Sequence, residues 1–214
     1  MKALECIFII FILCLSLISQ AQNKIEFRDT LSDYEKILND NIDKEVLEML
    51  DSLDFEKTSM GLGILEFINI DSQSVDKKGF KSHSICQCYK IQDTIFIANA
   101  IGFMAGLGSI IKINSIDSTY ESSIFFATDD VKQHKFKENE ELIADIEVPL
   151  ERNNLLISKQ SEFSNQKDIV GILEGVSIEF YEGNNKVKLQ VRSIFKCKFE
   201  DYNILLKKEG KKKN

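Results

Sequence analysis

The chain has 214 residues, a single proline, and 34 acidic against 27 basic residues, which gives a formal net charge of −7. This charge argues against nucleic acid as the main partner, because phosphate binding requires clustered Lys and Arg. The length suits one domain with its own hydrophobic core, and no linker interrupts the sequence.

The first 21 residues have the pattern of a cleavable secretory signal and resemble the export signals of bacterial secreted and periplasmic proteins. An apolar run from Cys6 to Ile18 is too short for a membrane span, which takes roughly 20 residues. Ser19 and Ala21 supply the small residues that a signal peptidase needs. We therefore expect an exported protein, periplasmic or secreted, that begins at Gln22 and has no stable transmembrane span after cleavage. An uncleaved anchor is the alternative.

A helix is predicted over about residues 31–53. Apolar residues recur there at spacings of three and four, which places them on one face of a helix. Ser32 and Glu35 have the spacing of a capping box, in which each side chain satisfies an unpaired backbone amide. The pattern predicts a helix packed on a sheet, and a helix that binds a partner or a membrane surface is the alternative.

After Gly61 the apolar period changes from helical to two, which indicates strands. Between Lys186 and Glu200 the odd positions are mainly apolar and the even positions mainly charged. The preceding run from Val176 to Phe180 also alternates, and residues 183–185, Gly-Asn-Asn, favour a hairpin turn between the two. Further strands are predicted at 62–70, 85–91, 94–100, 109–116, 120–128 and 142–148.

These elements predict a mainly β fold of the α+β kind. We expect an antiparallel β-sandwich or an up-and-down barrel of about eight strands, with the N-terminal helical segment packed on it. Residues 22–206 are predicted to form this single domain. The lysine-rich residues 207–214 are predicted to be a basic C-terminal tail.

Gly102, Gly106 and Gly108 punctuate an apolar stretch between two predicted strands. The spacing matches neither a phosphate-binding loop nor a dinucleotide fingerprint. We interpret the stretch as a strand, an apolar turn and a strand. The alternative is a rim loop over an apolar cavity, where Met104 would make an adaptable ligand contact.

Three cysteines, Cys86, Cys88 and Cys197, remain after the predicted cleavage. A disulfide from Cys197 to Cys86 or Cys88 is one interpretation, and free thiols are the other main one. His83, Cys86, Cys88 and Cys197 together are a less favoured candidate metal site, because their spacing matches no zinc pattern. The alternation around Cys86 predicts that Cys86 and Cys88 face away from the buried side of their strand.

Catalysis has little support in the sequence. His83 and His134 are the two histidines, and neither lies in a nucleophile or zinc motif. Acidic residues at 129–130 and 138–141 indicate solvated loops. We assign no catalytic residue and expect no cofactor. The leading hypothesis is a non-catalytic exported domain that binds a protein partner or a small apolar ligand. The alternatives are an envelope hydrolase whose carboxylates converge only in the fold, and a thiol or metal-binding protein using His83, Cys86 and Cys88.

Overall fold

The computed structural model describes residues 23–29, 31–39, 60–70, 79–102, 106–129, 131–159, 161, 163–164 and 167–203. Helix α1 spans Ser32–Asn39. The strands are β1 Asn23–Lys24, β2 Glu26–Arg28, β3 Met60–Asn69, β4 Gly79–Ile91, β5 Thr94–Ile101, β6 Gly106–Asn114, β7 Thr119–Ala127, β8 His134–Lys135, β9 Ile146–Ser158, β10 Asp168–Ser177, β11 Phe180–Glu182, β12 Asn185–Val187 and β13 Leu189–Asp201. The predicted signal (1–21), the rest of the predicted helix (40–53) and the basic tail (207–214) lie outside the described residues.

Eight of these strands form a closed barrel. Strands β3, β4, β5, β6, β7, β9, β10 and β13 are neighbours in that order, and β13 pairs with β3 to close the circle. Every neighbouring pair is antiparallel, and the order around the barrel follows the order along the chain. The predicted mainly β fold is therefore confirmed, as an up-and-down barrel rather than a sandwich.

The barrel closes differently at its two ends between β7 and β9. Near one end these strands pair directly, from Phe126 opposite Ile146 to Ser123 opposite Pro149. Farther along they separate, and the N-terminal residues fill the gap: β1 pairs with β7, and β2 runs parallel to β9. Tyr120 is buried at this gap, and burial raises its pKa to about 12, against a backbone hydrogen bond with Leu155 that lowers it.

Alternation along each strand sends one set of side chains into the barrel. On β13 these are the odd positions, with Val191, Phe195 and Phe199 buried, as predicted. On β10 the inward positions are also odd, so Ser177 is buried and Val176 is only partly so. The sequence pattern places Val176 on the same buried face as Phe180, and this is wrong for Val176. Between β10 and β11 the inward side chains change from odd to even positions.

Helix α1 packs on the outside of the barrel. Leu38 lies against Ile64, Leu156, Ile172 and Ile194, which point outward from four strands. This contact confirms the predicted helix on a sheet for residues 32–39, and the Glu35 side chain of the proposed capping box lies outside the description. Within the described residues, no helix is long and apolar enough to cross a membrane.

A small second sheet lies at one end of the barrel. Strands β8, β11 and β12 form it, with β11 in the middle, and a turn containing Gly183 joins β11 to β12. Strand β8 belongs to the β7–β9 connection, while β11 and β12 belong to the β10–β13 connection. Both connections leave the barrel at the end where β3 finishes at Asn69, which we call the upper end. The small sheet therefore lies over that end.

Candidate functional site

The structure joins Cys86 to Cys197 in a disulfide with their Cα atoms 5.4 Å apart. The two cysteines belong to β4 and β13, which lie on either side of β3. Strands two apart in a sheet are normally separated by about 9–10 Å. Gly61 of β3 stands between them, and a Cβ there would overlap the carbonyl oxygen of Lys196. Just beyond the start of β3, β4 and β13 also pair directly with each other, in parallel. The end of β3 and the missing side chain at Gly61 together let the two strands approach closely enough to be bridged.

Cys88 is a buried free thiol inside the barrel. Burial strongly raises its pKa, because the thiolate would lose its hydration. A thiol held in this form is a poor nucleophile and a poor metal ligand. The prediction that Cys86 and Cys88 face away from the buried side is wrong: both point into the core. The outer face of β4 is also partly apolar, since Tyr89 stacks on Phe96 there. With apolar side chains on both faces, the alternation does not indicate which face is buried.

The structure does not bring His83 to the cysteines. His83 is at an odd position of β4, so its side chain leaves the opposite face of the strand from Cys86 and Cys88. Across the part of the chain that is described, no three His, Cys, Asp or Glu side chains are grouped to hold a metal ion. The four residues of the candidate metal site therefore divide between two faces.

The upper end of the barrel contains an apolar cleft of about 220 Å³ beneath the small sheet. We call it the upper cleft. It is lined by Phe67, Asn69, Phe80, Leu107, Phe126, His134, Phe180, Glu182, Val187 and Leu189. Phe80 is 44% exposed, so the cleft is open to solvent on that side. The mouth of a β-barrel is a common position for a small-molecule site.

His134 is the unusual residue of the upper cleft. Hydrogen bonds between the backbones of His134 and Ile143 fix its position, and its ring stacks on Phe126 with centroids 5.0 Å apart. The side chain is only 3% exposed, and its Nδ1 atom has no hydrogen-bond partner among the described residues. The sequence around His134 carries no motif. Only the tertiary position of the β7–β9 connection identifies this residue as part of a cleft.

Gly102 and Gly106 flank residues 103–105, which include Met104 and lie outside the described residues. Both glycines are at the upper end, where β5 finishes and β6 begins. Leu107, the next residue after Gly106, lines the upper cleft. The residues that flank the predicted rim loop therefore lie at an apolar cleft. The loop itself stays a prediction.

A second cleft, of about 340 Å³, lies where β7 and β9 separate, and we call it the seam cleft. Glu121 and Glu147 both line it, so it collects the two carboxylates that a hydrolase would need. Partial burial alone would raise the pKa of Glu147, but hydrogen bonds from Lys112 and Ser123 outweigh it and lower the pKa. Glu147 is therefore held ionised, which suits a general base or a nucleophile but not a general acid.

A larger trough of about 890 Å³ adjoins the seam cleft on the outer face of β5, β6 and β7. Its lining includes the polar side chains of Thr94, Lys112 and Asn114, so it is more polar than the upper cleft and suits an apolar ligand less well. Comparison with protein-family models, curated proteins and solved structures found no significant match to this chain.

Proposed function

We propose that this chain is an exported β-barrel that binds a small apolar ligand in the upper cleft and performs no chemistry on it. The observation that carries the proposal is the composition of the cleft, whose apolar wall is formed by Phe67 and Phe126 of the barrel and Phe180 of the small sheet. Ligand sites are typically concave and mainly apolar, with few polar groups. Export is a second part of the proposal and rests on the sequence of residues 1–21.

The alternatives have weaker support in the side-chain chemistry. A hydrolase would use the seam cleft, where the ionised Glu147 cannot be the general acid, so the exposed Glu121 would have to take that role. A thiol or metal protein would use His83, Cys86 and Cys88. The His83 side chain leaves one face of β4, and the two cysteine side chains leave the other. A protein partner would need an apolar surface much larger than the upper cleft. The small-ligand proposal uses a cavity that the fold already contains.

Filling the upper cleft should weaken binding. Leu107→Phe adds a ring to the cleft wall, so the affinity for toluene, an uncharged single-ring probe, should fall by about tenfold or more. Calorimetric titration of the purified mature protein measures this change. Native mass spectrometry of the same sample should detect any ligand that copurifies.

The matched control is Ile110→Phe, at a position three residues later on β6 with the opposite orientation. This variant adds the same ring outside the barrel, so probe affinity should stay within about twofold of the wild type. Equal affinity in the Leu107→Phe and Ile110→Phe proteins would show that the probe binds elsewhere, and the upper cleft would lose its assigned role.

A further inference from the structure

The unpaired Nδ1 atom of His134 requires a physical explanation. A buried polar atom without a hydrogen-bond partner destabilises the folded state, because it loses water and gains nothing in return. The ring packs beside Phe126 and Phe180, with centroid distances of 5.0 and 6.3 Å, and these two rings also contact each other. Neither phenyl ring carries a conventional hydrogen-bond partner for an imidazole nitrogen. A ligand group in the cleft would supply the missing partner.

We propose that the ligand of the upper cleft is a small neutral molecule with an apolar body and one hydroxyl group, which forms a hydrogen bond with Nδ1 of His134. This inference rests on the proposed function and deepens it. A neutral imidazole nitrogen is either a donor or an acceptor, according to the tautomer. A hydroxyl group can play both parts, so it matches Nδ1 in either tautomer.

Charge at the cleft disfavours an acidic ligand. Glu182 lines the cleft and lies opposite His134 in the β8–β11 ladder, so a ligand carboxylate would meet a like charge. The lysine that follows His134 does not compensate for this negative charge. Lys135 follows His134, and its Nζ donates to the carbonyl of Glu138 while lying over the Tyr181 ring. The cleft therefore favours a neutral polar group over an anionic one.

The volume of the cleft limits the size of the ligand. An apolar protein cavity of about 150 Å³ holds a benzene molecule. The upper cleft, at about 220 Å³, therefore suits a single ring with a small substituent. Aromatic walls from Phe67, Phe126 and Phe180 favour a flat or branched apolar body.

Phenol and toluene test the inference because they differ by a hydroxyl in place of a methyl group of similar size. Their affinities are measured by calorimetric titration of the mature protein, and the phenol-to-toluene ratio is compared between variants. The ratio should be about fivefold to tenfold higher in the wild type than in His134→Phe, which is the typical effect of one neutral hydrogen bond. The control His83→Phe removes the other histidine, outside the cleft, and should leave the ratio unchanged.

A second measurement needs no variant at His134. Nitrogen NMR of the imidazole rings should show a shift of the His134 Nδ1 resonance on saturation with phenol and a much smaller one with toluene. The His83 resonances should stay in place with both. Benzoate should bind more weakly than phenol because its carboxylate meets the charge of Glu182. In Glu182→Gln the difference in affinity between benzoate and phenol should be smaller.

The outcomes separate the two proposals. An unchanged phenol-to-toluene affinity ratio in His134→Phe, together with an unmoved Nδ1 resonance in the wild type, would overturn the hydroxyl assignment. Toluene binding that is weakened by Leu107→Phe would still support the apolar site. Tighter binding of benzoate than of phenol would overturn the neutral ligand class. Absence of binding by both phenol and toluene would remove the proposed function and this inference together.

Discussion

Asn99 organises the polar side chains inside the barrel. It is buried on β5 and accepts a hydrogen bond from Ser84 Oγ at 2.6 Å. Its amide nitrogen donates to Ser193 Oγ at 3.0 Å and to the carbonyl of Ile194 at 3.2 Å. Ser109 completes the set by donating to Ser193. One side chain therefore links β4 and β5 to β13 across the interior, which restricts how these strands can pair.

Asn99→Ala should lower the free energy of unfolding by about 2–4 kcal/mol. The change removes the acceptor of Ser84 and one of the two donors to Ser193, and it opens a cavity in the barrel. Denaturant titration measures the loss. Asn154→Ala, on the exposed face of β9, is the matched control and should cost less than about 0.5 kcal/mol. A loss at Asn99 no larger than that of the control would show that the network contributes nothing to stability.

Gly63 provides an independent check on the position of Asn99. A Cβ at residue 63 would overlap the Asn99 side-chain oxygen, so Gly63→Ala should cost about 2 kcal/mol or more in the wild type. In the Asn99→Ala background the obstacle is gone, and the same change should cost less than about 1 kcal/mol. Additive effects in this cycle would contradict the contact.

Strands β10 and β13 form one of the two longest continuous ladders of the described barrel wall. They pair antiparallel from Asp168 opposite Lys198 to Val176 opposite Gln190. Gly171 lies beneath Phe195, where any larger side chain would overlap the Phe195 ring. The hairpin predicted for this region is more complex than expected, because β11 and β12 leave the barrel and make the tight turn in the small sheet.

The register of β13 predicts opposite outcomes at two adjacent residues. Phe195→Ala should lower the free energy of unfolding by about 3–5 kcal/mol, since the ring is fully buried. Lys196→Ala should cost under about 0.5 kcal/mol, because its side chain is 41% exposed and its contact with Asp168 is 3.6 Å long. Denaturant titration compares the two variants. Small and equal losses would mean that the register is wrong.

The barrel as a whole is held by contacts between distant parts of the chain. Strand β13 closes the circle on β3, and the N-terminal strands β1 and β2 fill the gap between β7 and β9. The Cys86–Cys197 disulfide connects residues 111 apart in sequence. A covalent link of that span restricts the unfolded chain, and the chain-entropy model values it at nearly 5 kcal/mol.

Thiol labelling should count one free cysteine in the mature protein. The unfolded, unreduced chain should label once, at Cys88, with no difference when a chelator is added. The folded protein should label slowly, because Cys88 is buried and its pKa is raised. Reduction should lower the free energy of unfolding by several kcal/mol, up to about 5 kcal/mol.

Cys88→Ala is the control for this measurement. It should abolish labelling of the unreduced chain and leave the stability loss on reduction in place. Three labelled thiols without reduction would contradict the disulfide. About one zinc per chain, lost together with thiol protection on adding a chelator, would replace the ligand-binding proposal with a metal site.

Local patterns in the sequence were enough to establish the mainly β class, the helix at its start and the buried face of β13. These features depend on periods of two and 3.6 residues, which adjacent residues determine by themselves. The same reasoning failed for Cys86 and Cys88, because β4 carries apolar side chains on both faces and alternation then has no unique solution. It also missed the change of phase after Ser177, where the chain turns from the barrel into the small sheet.

Tertiary structure alone decided which strands meet. Closure of β13 on β3 selects a barrel over a sandwich, and it depends on pairing between residues more than a hundred positions apart. The choice of Cys86 over Cys88 follows from the register of β4 against Gly61. His134 enters the upper cleft only because β8 pairs with β11 from another connection. Periodicity assigns each side chain to a face of its strand, but it carries no information about the neighbour of that face, so the candidate site emerged only with the fold.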